Sequence, residues 1–83
     1  MEVILFTSET CSPCKNLKRQ VNFSEYSFVK EVDVVTNQDI VDKYSIGSIP
    51  TLLFLDNNDN EIVRYVGSVD PKTIIKSLED FGA

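Results

Sequence analysis

Two short segments decide most of what this chain can fold into. Glu2–Thr7 (EVILFT) and Thr51–Leu55 (TLLFL) are near-continuous apolar runs rather than alternations of apolar and polar residues. A strand of that kind has to be covered on both faces, so both belong in the interior of a layered α/β structure. At 83 residues the chain has room for one domain, residues 1–83, and roughly 60–65% of its unfolded surface can be buried. The other segments arrange themselves around the two runs. Pro13 suits a first helical turn, and Leu17 and Val21 recur at i, i+4, which predicts a helix running to about Asn22. Residues 27–35 (SFVKEVDVV) are rich in β-branched side chains and read as a second strand. Thr36 and Asn37 are N-cap candidates for a second helix with Ile40, Val41 and Tyr44 on its apolar face, and Gly47 is placed to help end it. Residues 56–60 (DNNDN) form a strong turn signal between Thr51–Leu55 and Glu61–Val66, so those strands pair as a hairpin. Asp70 and Pro71 open a last helix by cap and first-turn chemistry, with Ile74, Ile75, Leu78 and Phe81 facing inward and Gly82 at its end. The order β-α-β-α-β-β-α predicts a parallel crossover followed by an antiparallel hairpin: a four-stranded mixed sheet with helices on both faces.

Composition excludes several functions. There are 13 acidic and 8 basic side chains, a net charge of −5, and no histidine. Without histidine the commonest general base and metal ligand is absent, and with it the serine- and cysteine-protease constellations. An acidic chain lacks the basic patch that neutralises phosphates, so nucleic acid is not an expected partner. The apolar runs fall far short of the ~20 residues that span a bilayer, and the start of the chain carries neither a basic region nor a small-residue cleavage site. A cytoplasmic, monomeric protein with no membrane partner is the expectation.

Both cysteines lie in one tetrad, Cys11-Ser12-Pro13-Cys14. A bridge across four residues closes so short a loop that it stabilises by only about 2 kcal/mol in the chain-entropy picture, before any strain. Chemistry explains such a bridge better than stability does. A structural disulfide, a zinc half-site and a pair of ordinary buried thiols are the competing readings. Zinc needs four ligands, and neither a second Cys-x-x-Cys nor a histidine is present. The redox reading requires the tetrad to follow a strand and open a helix, and the predicted elements place it there. At a helix N-terminus the dipole and the free backbone N–H groups favour a thiolate, which suits Cys11 as nucleophile. Cys14, one turn deeper, would resolve the mixed disulfide, Lys15 would add weak positive charge, and the Ser12 hydroxyl could bond the thiolate. Pro50 precedes an apolar strand and marks its start, because it cannot donate a ladder hydrogen bond.

From about Val3 to Phe81 the chain resembles the thioredoxin and glutaredoxin superfamily. Thr10-Cys11-Ser12-Pro13-Cys14-Lys15 is similar to the active-site segment of thioredoxins, residues 43–51 (KYSIGSIPT) to their stretch around the cis-proline, and Val66-Gly67-Ser68 to the turn before the last helix. The resemblance implies a minimal thioredoxin fold and a dithiol–disulfide oxidoreductase with a redox-active Cys11–Cys14 disulfide and no bound cofactor or metal. It implies that Pro50 is cis, that the backbone of Ile49 pairs with an extended client segment, and that Ser12, Pro13, Ile49, Gly67 and Ser68 line the substrate surface. Disulfide-containing client proteins and a thioredoxin reductase are the implied partners. Two alternatives accompany this reading: a glutaredoxin that uses glutathione, favoured by the opening VILFTSETC, and a non-catalytic binding module. The chain also departs from thioredoxins. Thr10 stands where they carry tryptophan, their buried aspartate aligns near Leu5, and its lysine partner aligns near Glu31. Glu31 is therefore a candidate replacement as buried proton acceptor.

Overall fold

The computed structural model of the protein describes residues 2–67 and 69–82. Its elements run β1 (Glu2–Thr7), α1 (Ser12–Gln20), a 3-10 turn (Phe23–Glu25), β2 (Val29–Asp33), α2 (Gln38–Lys43), β3 (Thr51–Leu55), β4 (Glu61–Val66) and α3 (Pro71–Phe81). The strands form one mixed sheet in the order β2-β1-β3-β4. β1 is parallel to β2, with Leu5 opposite Glu31, and antiparallel to β3, with Leu5 opposite Leu52. β3 and β4 are the expected antiparallel hairpin, with an irregularity at Phe54/Leu55.

The two apolar runs are the two inner strands. Val3 through Thr7 and all of β3 are buried. Alternation along them then feeds two cores. Val3, Leu5, Leu52 and Phe54 point toward α1 and α3 and meet Leu17, Val21, Ile74 and Leu78. Ile4, Phe6, Leu53 and Leu55 point the other way and join Val32, with Ile40, Val41, Tyr44, Ile46 and Ile49 packed against them. So α1 and α3 cover one face and α2 with its following loop covers the other. At the end of the sheet away from the cysteines, aromatic rings close the first core. Phe28 lies 5.8 Å from Tyr26 and 5.4 Å from Phe81, and Phe81 lies 5.2 Å from Phe54. Gly82 is fitted to this cluster, since a Cβ there would fall 2.7 Å from the Phe28 ring.

Three boundaries differ from the sequence expectation. β2 covers 29–33 rather than 27–35, because the 3-10 turn runs on into a turn that bonds the Val29 N–H to the Tyr26 carbonyl at 3.1 Å. At its other end the Asp33 carboxylate accepts the Val35 N–H at 2.8 Å and peels the chain off the sheet. α1 ends at Gln20 rather than near Asn22, as Val21 turns to extended backbone. α2 stops at Lys43, and Ser45 rather than Gly47 makes the reversal, with φ of 53°. The Ile46 N–H reaches back to the Val41 carbonyl at 3.0 Å and the Ser45 N–H to the Asp42 carbonyl at 3.2 Å, the paired bonds of a Schellman C-cap. Asn37 is the N-cap residue of α2 but does not cap through its side chain, which donates to the Asp33 carbonyl at 2.9 Å instead.

Two outcomes follow from these turns. Left-handed backbone costs a non-glycine residue roughly 1 kcal/mol or more, so Ser45→Gly should stabilise the protein by about 0.5–1 kcal/mol in urea unfolding. In the β3–β4 turn the Asp56 carboxylate accepts the N–H groups of Asn58 at 2.8 Å and Asn60 at 3.0 Å. The N–H of Asn60, and then that of Asn58, hold its carboxyl below the usual carboxylate value. A group whose pKa is depressed by folding stabilises the native state above its unfolded pKa and loses that contribution as pH falls through its folded pKa. The stability gap between wild type and Asp56→Ala should therefore be constant near neutral pH and narrow below about pH 4.

Candidate functional site

The Cys-x-x-Cys sits at the carboxyl end of β1, where a three-residue polar link carries the chain into α1. The Cys11 N–H bonds the Ser8 carbonyl at 3.2 Å, and Ser8 and Thr10 hydroxyls lie 3.3 Å apart, which tightens this link. Cys11 is the N-cap of α1, with extended backbone (φ −86°, ψ 106°), and its Sγ accepts the Cys14 N–H at 3.2 Å. A sulfur in that position takes up one of the donors a helix start leaves unsatisfied. The two sulfurs are joined in a disulfide, with Cα atoms 5.2 Å apart. Their environments differ: Cys11 is half-buried, whereas Cys14 is 1% exposed and belongs to the buried core. Pro13 occupies the first helical turn as expected and is exposed, as are Ser12 and Lys15. Ser12 makes no hydrogen bond to the cysteine pair among the described residues.

The Ile49–Pro50 peptide is cis, and Pro50 is buried at the start of β3. The loop before β3 is held from several sides. Thr51, itself 1% exposed, donates its hydroxyl to the Ser48 carbonyl at 2.6 Å. The Gly67 N–H donates to the Pro50 carbonyl at 2.9 Å, and Gly67 has φ of 76°, a conformation that suits a residue without a Cβ. No other described residue bonds the amide or carbonyl of Ile49. Beside Pro13 and Gly67 runs a groove of about 430 Å³, completed by Asn16, Leu17, Gln20, Val69, Asp70 and Pro71. Ser68, expected on the same rim, lies outside the described residues.

Glu31 requires a correction. It is not buried: its side chain is about half exposed and forms an ion pair with Lys18 at 2.8 Å. The parallel register explains this. Glu31 lies opposite Leu5 but on an edge strand, where a neighbour on one side only leaves a long side chain free to reach solvent. Among the described residues the buried polar side chains are Thr7 and Thr51, and no carboxylate or amine is buried. The described Cys, Asp and Glu side chains form no group of three able to hold a metal ion. No helix of the described residues is long and apolar enough to cross a membrane.

Sequence reading missed one residue that bears on this site. Arg64, in β4, donates to the Tyr44 carbonyl at 2.8 Å and the Ser45 carbonyl at 3.4 Å, and its guanidinium is paired with Glu61 at 2.7 Å. Its partners at the end of α2 are about 20 residues away, and no local pattern announces them.

Comparison with known proteins agrees with this geometry. Residues 1–80 match the thioredoxin family. The chain is 31% identical over 61 residues to Thioredoxin-1 of Drosophila yakuba, covering 68% of this chain and 57% of that protein. It is 27% identical over 84 residues to Monothiol glutaredoxin-4 of Saccharomyces cerevisiae, covering 93% of this chain but 33% of that protein. The chain thus spans less than two thirds of the length of either relative. The thioredoxin structure of Malassezia sympodialis superposes with a TM-score of 0.80 at 28% identity, covering 98% of this chain and 74% of that one. With a family match running from the first strand through nearly all of the last helix, beside a strand-to-helix cysteine pair and a cis-proline at the start of β3, the chain belongs to the thioredoxin family.

Proposed function

We propose that this protein is a thiol–disulfide oxidoreductase that reduces disulfides in client proteins. The observation that carries this reading is the asymmetry of the cysteine pair: Cys11 is accessible at a helix N-terminus, and Cys14 is sealed beneath it. In the reduced protein the backbone N–H groups at the start of α1 and the helix dipole favour a Cys11 thiolate. That thiolate attacks one sulfur of the client disulfide. A Cys11–client bond forms, the client S–S bond breaks, and the second client sulfur leaves as a thiolate. Cys14, having lost its proton, then attacks Cys11 Sγ. The Cys11–Cys14 bond forms, the mixed disulfide breaks, and the client leaves as a dithiol once its thiolates take up protons. Two electrons have passed to the client, and the oxidised protein is the state with joined sulfurs. A thioredoxin reductase is the proposed electron donor that returns it to the dithiol.

In this proposal the client segment lies extended along the main chain of Ile49, adding a short strand beside Pro50. Pro13 and Gly67 border it, and Ser12 faces it from the helix start. Among the described residues no carboxylate is buried, so in this proposal the Cys14 proton passes to solvent or to the departing client thiolate. The groove argues for a protein client over glutathione. Its charged lining side chain among the described residues is Asp70, and a tripeptide with two carboxylates would meet that anion without a basic partner. We propose further that residues 1–83 act as one monomeric domain in the cytoplasm, with no bound cofactor.

Cys14→Ser should hold clients on Cys11 as a mixed disulfide, visible as a mass adduct released by dithiothreitol. Cys11→Ser should reduce insulin disulfides no faster than the uncatalysed reaction. Native-rate turnover by Cys11→Ser would sink the proposal, and turnover driven by glutathione and glutathione reductase would replace the proposed donor. Glu31→Ala removes an exposed ion pair worth at most about 1 kcal/mol. It should leave the pH–rate profile of insulin reduction where it is, which a proton acceptor at that position would not.

A further inference from the structure

We infer that Arg64 is a positioning residue for the client-binding loop, although it lies on the far edge strand and touches no client. The inference rests on the proposed role of Ile49 as the main-chain partner of the client. Residues 44–49 join a helix of only six residues to the cis-proline, and such a helix has little intrinsic stability. At the β3 end the loop is tied by the Thr51–Ser48 and Gly67–Pro50 hydrogen bonds. At the α2 end the last turn satisfies its own Ile40, Val41 and Asp42 carbonyls through the N–H groups of residues 44–46. The Tyr44 and Ser45 carbonyls are left over, and they point to where Arg64 sits.

The guanidinium is well suited to that place. One edge is clamped by Glu61, with Nε to Oε2 at 3.2 Å and Nη2 to Oε1 at 2.7 Å, and Nη1 and Nη2 reach the two carbonyls. A planar fork held on one side presents fixed donors on the other. A cation at a helix C-terminus also meets the negative end of the dipole. The position it secures is one that resists local formation, because Ser45 is in the left-handed region without being glycine. Ile46 and Ile49 then dock beside Tyr44 and Val41 on the second core, so the direction of the Ile49 main chain follows from the place where α2 ends.

Arg64→Met keeps the aliphatic stem and removes the fork. With insulin as client, it should raise KM about tenfold while kcat stays within about twofold, as expected for a misplaced binding element. The midpoint potential of the Cys11–Cys14 couple should not move. Independently of any client, hydrogen exchange at the Ser45 and Ile46 amides should become faster, while exchange in β1 and β3 stays as in wild type. Arg64→Lys, a point donor that reaches one carbonyl at a time, should fall between the two and guards against misfolding of the methionine variant. Unchanged exchange at Ser45 and Ile46 would overturn the inference even if the wild type reduced no insulin. So would faster exchange throughout the sheet, or a shifted potential, since either marks a general folding role. Faster local exchange with an unchanged insulin KM would show a tether without effect on binding and would also overturn it.

Discussion

β1 is hydrogen-bonded along both edges and covered on both faces, and the position of the site depends on that double enclosure. Val3 to Thr7 are each at most 4% exposed. A strand so placed has no freedom to shift register, because a slip by one residue would exchange two cores of different composition. Its carboxyl end is consequently a fixed point, and the link of residues 8–10 delivers Cys11 from there to the first turn of α1. β3, bonded to β1 over five pairs, brings Pro50 to the same end of the sheet. Cys11 and Pro50, 39 positions apart in sequence, lie at the same end of the sheet because their strands are neighbours.

The candidate site holds very little ionisable equipment among the described residues. Its polar order comes from uncharged groups, each bond with a main-chain partner: the Cys14 N–H on Cys11 Sγ, the Gly67 N–H on the Pro50 carbonyl, and the Thr51 hydroxyl on the Ser48 carbonyl. Carboxylates near the sheet edge are solvated or ion-paired, as Glu31 is with Lys18. Two of the charges that bear on structure work beside helix ends. Arg64 donates to the Tyr44 and Ser45 carbonyls just past the end of α2, and Asp70 accepts the Lys72 N–H at 3.0 Å to open α3.

Signals that act over a few residues were legible in the chain itself. The buried strands, the DNNDN turn, the Asp70-Pro71 helix start and the Cys11-to-Cys14 tetrad each depend on neighbours in sequence, and each stands where it was expected. The end of α2 was not legible, since Gly47 carries the stronger local signal for a helix stop. Packing of Ile46 and Tyr44 onto the second core reverses the chain two residues earlier, and Ser45 accepts the left-handed turn. The exposure of Glu31 was equally hidden, because it depends on β2 being an edge strand.

By itself the sequence determined the order of elements, the placement of the cysteine pair at a helix start and the motif around Pro50. Periodicity, caps and turn chemistry are local, so they can be read without the fold. Only the tertiary structure decided which thiol is sheltered, that no carboxylate is buried among the described residues, and that Arg64 reaches the chain just past α2. Those facts depend on which strands are neighbours and how far each side chain lies from water, and no local pattern carries that information.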